Sequence, residues 1–118
     1  MGGSACIGLS PKGSDLMGPG EMKDSFAYHG STGQIRSYGK DWKSYGPHVA
    51  YNDVVGCGVI DHNCFFTKNG ELLGAAFRDV PQELYPTVWF WDMGHAIEAN
   101  FGSMPFLYEL DWDKLRRL

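Results

Sequence analysis

The pair Asn69-Gly70 stands between two apolar-rich runs in the stretch NCFFTKNGELLGAAF, residues 63–77. Asparagine and glycine tolerate positive φ better than other residues. A two-residue turn with both central residues at positive φ matches the right-handed twist of the strands it joins. The stretch therefore predicts a β-hairpin, the strongest local signal in the chain. Hairpin strands are antiparallel, and two alone are marginal in water, so the rest of the chain must supply more of the same.

It does so at a spacing of roughly ten residues. SACIGLS reads as a short buried strand, SFAYHG as an aromatic-rich strand, STG as a turn and QIRSYG as the next strand. After a loop, KDWKSYGPH, the segment YNDVVGCGVI predicts a turn followed by a strand over Val54 to Ile60. Beyond the hairpin come YPTVWFW and AIEANFG, the latter with Ile97, Ala99 and Phe101 alternating against Glu98 and Asn100, and FLYEL adds a further candidate. With 16 glycines scattered among 118 residues, turns are plentiful and no repeat is visible. Six to eight short strands joined by glycine and proline turns predict an all-β sandwich or barrel. Only ELDWDKLRRL has a partial helical stripe, Leu110, Trp112, Leu115 and Leu118, with acids first and bases last, as the helix dipole prefers.

Charge and cysteine usage exclude several roles. The net charge is −4, and Lys and Arg gather only at Lys114, Arg116 and Arg117, so no basic stripe for nucleic acid or a membrane surface exists. Three cysteines, Cys6, Cys57 and Cys64, fit a reducing compartment better than a disulfide framework. Together with the absence of a long apolar run, this predicts a cytoplasmic or nuclear location.

Chemistry finds little purchase. A glycosidase on a sandwich needs two carboxylates flanking a cleft, and Glu98, mid-strand, has no acidic partner two residues away. No G-x-S-x-G is present, Cys57 and Cys64 are expected to face the core, and Asp61-His62-Asn63 reads as a tight turn. His29, His48, His62 and His95 each stand in a different segment, which predicts no metal site, and nothing calls for a cofactor. Aromatics are the signal that remains: Tyr85, Trp89, Phe90 and Trp91 fall within YPTVWFWDMG. Large exposed aromatic area marks binding surfaces more often than catalytic ones.

Five blocks in order, IGLS, SFAYHGSTGQI, YGPHVAYNDVVGCGV, CFFTKNGELLGAAFRDVPQELYPTV and EANFGSMPFLY, resemble the SPRY (B30.2/SPRY) domain of the Ran-binding protein M type. The resemblance runs from Ala5 to Leu107. It implies a concanavalin-like β-sandwich of two antiparallel sheets over residues 1–108, with a helical tail at 109–118. It implies a non-enzymatic module that binds a peptide or partner loop, in an adaptor or scaffold associated with ubiquitin ligase assembly. On the family's docking ledge the matching positions are Tyr28 and the Trp91–Gly94 neighbourhood, and the site expected here has Tyr28 and His29 as one wall and Trp91, Asp92 and Met93 as the other.

The chain departs from that pattern in three places. Strands that precede IGLS in the family have no counterpart, so an N-terminally truncated sandwich is expected. GVIDHNC is about two residues shorter than the family connection, and VWFWDMGHA is more aromatic than the family segment. Two other readings stay open at this level. One is a lectin-like sandwich that stacks sugars on Trp89 or Trp91. The other is a truncated isoform with no stable fold of its own. The oligomeric state is left open as well.

Overall fold

The structure, a computed structural model, describes residues 5–11, 23–38, 40–50, 52–81, 83–90 and 112–118. These residues form two antiparallel sheets and one short helix. The strands are β1 (Ala5–Ser10), β2 (Phe26–His29), β3 (Gln34–Ser37), β4 (Lys43–Ser44), β5 (Val55–Ile60), β6 (Asn63–Lys68), β7 (Glu71–Phe77) and β8 (Tyr85–Phe90). The larger sheet has the order β4-β3-β2-β1-β8, and the smaller one β5-β6-β7. The two-sheet all-β architecture agrees with the reading of the sequence. AIEANFG and FLYEL lie outside the described residues.

Turn chemistry fixes the smaller sheet. Asn69 and Gly70 both take positive φ, 50° and 85°, as the hairpin signal requires. Asp61 and His62 do the same at 50° and 63°, so β5 and β6 are joined by an equally tight turn and pair from Val55↔Lys68 to Ile60↔Asn63 without a break. The β6–β7 ladder instead shifts register between Cys64 and Phe65 and again between Phe65 and Thr67. A polar clamp ties the start of β5 to the hairpin tip. The Asp53 carboxylate accepts from the Ala50 N–H at 2.7 Å and from Asn69 Nδ2 at 2.9 Å, with Lys68 Nζ 3.5 Å away. Asn69 in turn exchanges bonds with Val54, its Oδ1 accepting the Val54 N–H at 2.8 Å and its own N–H donating to the Val54 carbonyl at 2.7 Å.

The core sits between the sheets. Ile7, Leu9, Phe26, Tyr28 and Ile35 from the larger sheet meet Cys64 and Phe66 from the smaller one, with Val49 and Val80 closing the sides. Phe26 and Phe77 bring their ring centroids to 4.9 Å, and Tyr28 and Phe66 to 5.1 Å, in tilted arrangements that join the two layers. Every residue of β1, an interior strand flanked by β2 and β8, is buried.

Cys64 faces the core as expected and is fully buried. Cys57 pairs directly with Phe66 and so points to the same, core-facing side, as expected, although its side chain keeps accessible surface. Among the described residues β5 pairs with β6 alone. The Cys57 thiol hydrogen-bonds with that of Cys64, which together with desolvation holds its pKa well above the ordinary thiol value.

The tail is helical over Trp112–Arg116, shorter than the sequence stripe. Leu115 alone of its described side chains is buried, and Asp113 and Arg116 form an exposed i, i+3 pair at 3.8 Å.

Candidate docking ledge

Tyr28 and His29 are consecutive on β2, and strand alternation sends consecutive side chains to opposite faces. The ladder makes the consequence explicit. Tyr28 pairs with Ile7 and Ile35 on the inner face, while His29 pairs with Cys6, which pairs onward with Trp89, on the outer face. Tyr28 is fully buried. Its ring is edge-on to Tyr45 at 5.7 Å, and its hydroxyl donates to the Pro47 carbonyl. Burial raises its pKa, so the phenol stays protonated and keeps that donor in place. The expectation that Tyr28 and His29 share one exposed wall is therefore corrected: Tyr28 is a core residue that supports a surface loop from beneath.

The loop it supports is Tyr45-Gly46-Pro47. The Tyr45 and Gly46 N–H groups both donate to the Gly33 carbonyl, at 3.2 and 2.9 Å, and the Val49 N–H donates to Gly30 at 2.6 Å. Gly33 holds φ at +73°, and a Cβ there would lie 2.0 Å from the Gly46 carbonyl oxygen, so only glycine fits the contact between the two loops. The Tyr45 hydroxyl reaches across to the smaller sheet and donates to the Gly74 carbonyl at 2.6 Å. Tyr45 is thus strapped down from both sheets, and burial raises its phenol pKa too.

Outside this loop a compact aromatic–cationic group forms. His29 meets Trp42 edge to face at 5.4 Å, and the Arg36 guanidinium carbon lies 4.9 Å from the Trp42 ring centroid. All three side chains are half-buried. His29 Nδ1 and Ser31 Oγ are 2.9 Å apart, which orients the ring within the β2–β3 turn. Desolvation lowers the His29 pKa, partly offset by a hydrogen bond with backbone, so the ring is neutral at physiological pH. It is a packing and hydrogen-bonding residue of the β2–β3 turn. Trp42 belongs to this group although KDWKSYGPH reads from its sequence as a loop with two aromatics; the available signal is a tryptophan in a polar segment close to the strand Gln34, Ile35, Arg36 and Ser37.

The other expected wall follows β8. Ala5 pairs with Phe90 on one side, and its carbonyl accepts the Gly30 N–H at 3.0 Å on the other. Strands two apart in a sheet are separated by roughly 10 Å. The chain therefore leaves β8 for Trp91 at the same end of the sheet at which His29 leaves β2. Trp91, Asp92 and Met93 themselves lie outside the described residues. Trp89, on the outer face in register with Cys6 and His29, extends the aromatic surface toward that end. Cys6 between them is fully buried, and desolvation pushes its thiol up to about 12 against the opposing influence of Arg36, so it does not act as a nucleophile. Among the described residues no group of three or more His, Cys, Asp or Glu side chains converges as a metal site would.

Two antiparallel sheets enclosing one core, with an aromatic–cationic group where β2, β3 and the following loop meet, define a β-sandwich. Comparison with known proteins specifies it further. The family model for the SPRY domain matches residues 1–104, and the chain belongs to the SPRY family. It is 44% identical to Ran-binding protein 9 of Xenopus tropicalis over 108 residues, which is 89% of this chain and 20% of that protein. It is 43% identical to human Ran-binding protein 9 over 108 residues, 15% of that protein, and 34% identical to a Ran-binding protein M homolog of Arabidopsis thaliana over 95 residues. The chain thus spans a fifth or less of the length of these relatives. A solved crystal structure of a human SPRY domain superimposes with a TM-score of 0.65 at 30% identity, covering 73% of this chain and 59% of that one. SPRY domains are typically protein-interaction modules.

Proposed function

We propose that this chain is a non-catalytic docking module that binds a peptide or partner loop on the β2–β3 and β8 end of its larger sheet. The observation that carries the reading is the His29–Trp42–Arg36 group, set beside the point where β8 runs out toward Trp91. Tryptophan and arginine are the residue types that dominate binding hot spots, because they combine large contact area with directional polar groups. His29 and Trp42 supply one wall. Trp91, Asp92 and Met93 supply the other, with Asp92 accepting N–H groups from a bound backbone. Tyr28 takes part indirectly, by fixing the Pro47 loop.

In this reading the domain spans residues 1–108 and serves an adaptor or scaffold in the cytoplasm or nucleus, linked to ubiquitin ligase assembly. The Ran-binding relatives support the adaptor role, since proteins with that name bind a protein partner. The test is affinity capture with the 118-residue chain as bait, comparing wild type with Trp42→Ala, Trp91→Ala and Glu71→Ala. Both tryptophan variants should lose the specifically captured partner at least tenfold, while Glu71→Ala, an exposed change on the far hairpin, keeps it. Undiminished capture by both tryptophan variants rejects the site.

A further inference from the structure

β5 and β6 bring two thiols together from opposite strands. The Asn69 N–H bonds the Val54 carbonyl, so the ladder begins with a hydrogen-bonded pair at Val54 and Asn69. Hydrogen-bonded and non-hydrogen-bonded pairs alternate from there, which makes Cys57↔Phe66 and Val59↔Cys64 non-hydrogen-bonded pairs, the kind whose side chains stand closer. All four residues share the core-facing side of the sheet, and the two cysteines occupy a diagonal of that block. Their thiols meet in a hydrogen bond. The walls around them are aromatic. Phe66 is the direct neighbour of Cys57, its ring centroid is 6.0 Å from that of Tyr45, and the Tyr45 phenol is within electrostatic reach of both sulfurs.

Distance decides what such a pair can do. A disulfide needs Cα atoms about 4.4–6.8 Å apart and a sulfur–sulfur bond of about 2.05 Å. Diagonal neighbours on an antiparallel pair stand roughly 7–8 Å apart. The regular β5–β6 ladder, closed by the tight Asp61-His62 turn, resists the shift that would bring them nearer. A metal ion between the sulfurs removes the need for that shift, because two metal–sulfur bonds of about 2.3 Å span up to roughly 4.6 Å. Sulfur ligands select soft ions. Zinc in a structural site takes four protein ligands. Monovalent copper accepts two sulfurs in line, which is what the diagonal supplies.

We propose that Cys57 and Cys64 form a binding site for monovalent copper, held between the two sulfurs on the inner face of the smaller sheet. Binding is an exchange of protons for metal. Each thiol gives its proton to water, two sulfur–copper bonds form in place of two S–H bonds, and copper keeps its single positive charge, so no oxidant or reductant takes part. The product is one dithiolate complex with a single net negative charge, which is far less unfavourable beside apolar walls than two separate thiolates. Burial and the hydrogen bond to Cys64 keep the Cys57 proton in place until a metal replaces it. Cys57 keeps accessible surface and admits the ion, while Cys64 is fully buried and holds it away from water.

The test is anaerobic titration of the reduced 118-residue chain with monovalent copper buffered by bicinchoninate, a chelator whose coloured complex reports the copper it retains. Wild type should withdraw one copper ion per chain and develop thiolate-to-copper charge-transfer absorption. Cys57→Ser and Cys64→Ser should each weaken binding at least tenfold and lose that absorption, because a single sulfur does not compete with a bidentate chelator. Cys6→Ser, which removes the thiol on the outer face of the larger sheet, should bind like wild type. An equimolar addition of zinc should leave the copper in place. Far-UV spectra and melting curves show which variants are folded, and Cys57→Ser, on the more accessible side chain, decides the case alone if Cys64→Ser does not fold. A wild type that withdraws no copper overturns the proposal. So does a folded Cys57→Ser chain that holds copper as tightly as wild type, a folded Cys6→Ser chain that loses it, or displacement of the copper by zinc.

Discussion

β1 and β5 are nearly the same strand on paper. Each has six uncharged residues, with a cysteine, glycine and branched aliphatics: Ala-Cys-Ile-Gly-Leu-Ser and Val-Gly-Cys-Gly-Val-Ile. In the fold they are opposites. β1 is flanked by β2 and β8, and all six of its residues are buried. Among the described residues β5 is flanked by β6 alone, and its side chains range from half-buried to exposed. Composition made both strands apolar; position in the sheet decided how much of that apolar surface left water. The difference predicts that equivalent substitutions in the two strands should have very unequal consequences.

The largest contrast lies at their glycines. A Cβ at Gly8 would fall 1.8 Å from the Phe26 carbonyl oxygen and 2.9 Å from its carbon, both backbone atoms of the paired strand β2. A Cβ at Gly58 would meet the Phe65 ring at 2.6 Å, which is a side chain that can swing aside. Gly8→Ala should therefore destabilise by about 3 kcal/mol or more, the upper range for overpacking, and Gly58→Ala by about 1 kcal/mol. Urea unfolding followed by circular dichroism measures both. Equal losses would break the distinction between a fully buried strand and a partly exposed one.

Truncating a branched aliphatic in each strand gives the next contrast. Ile7 is 8% exposed and belongs to the core cluster, so Ile7→Ala should cost about 2–5 kcal/mol through lost burial and a residual cavity. Val59 is 41% exposed, and Val59→Ala should cost less than about 1 kcal/mol. The same unfolding experiment separates them.

Much of this architecture was legible before any coordinates. Local chemistry placed the turns: Asn69-Gly70 and Asp61-His62 adopt positive φ because their side chains tolerate it, and the strands on either side follow. The ordered blocks led to the family. What the sequence did not disclose was how fully each strand is covered, since β1 and β5 carry the same apolar signal and only long-range pairing separates them. The candidate site was half legible for a related reason. Tyr28 and His29 are adjacent in the chain and were read as one wall, but alternation gives one to the core and the other to the surface. Trp42 was passed over because a two-residue strand such as β4 has no periodicity to detect, and its contact with His29 and Arg36 spans a turn.

Tyr28 and His29 carry the comparison inside one strand. Tyr28→Phe keeps the ring against Phe66 and Tyr45 and removes only the hydroxyl that holds the Pro47 carbonyl. The expected cost is about 1 kcal/mol, the net worth of a hydrogen bond plus part of the desolvation of the acceptor left behind. If the ledge depends on that loop, the variant should also weaken partner capture while retaining a cooperative melt. A Tyr28→Phe chain as stable as wild type would show that the loop holds without support from the core.

The smallest effect concerns His29 and its response to pH. Desolvation sets the pKa of the folded state below the ordinary histidine value of 6.5, so in the interval between the two the unfolded chain binds more protons than the folded one. Stability then rises with pH across that interval. The contribution is flat above about pH 7 and falls as pH drops below the unfolded value, because protonation must charge a desolvated ring packed edge-on against Trp42. Melting temperatures taken between about pH 5 and pH 8 should fall toward the acid end, and His29→Gln, which cannot titrate, should flatten part of that slope. The carboxylates bear on the same range from below. Asp53, held below its ordinary value chiefly by its hydrogen bond from Asn69, contributes only at more acid pH, so the two groups separate by where the slope appears. An unchanged slope in His29→Gln would mean that the outer-face ring is as well solvated in the folded chain as in the unfolded one. It would then be an open contact residue and not part of a packed ledge.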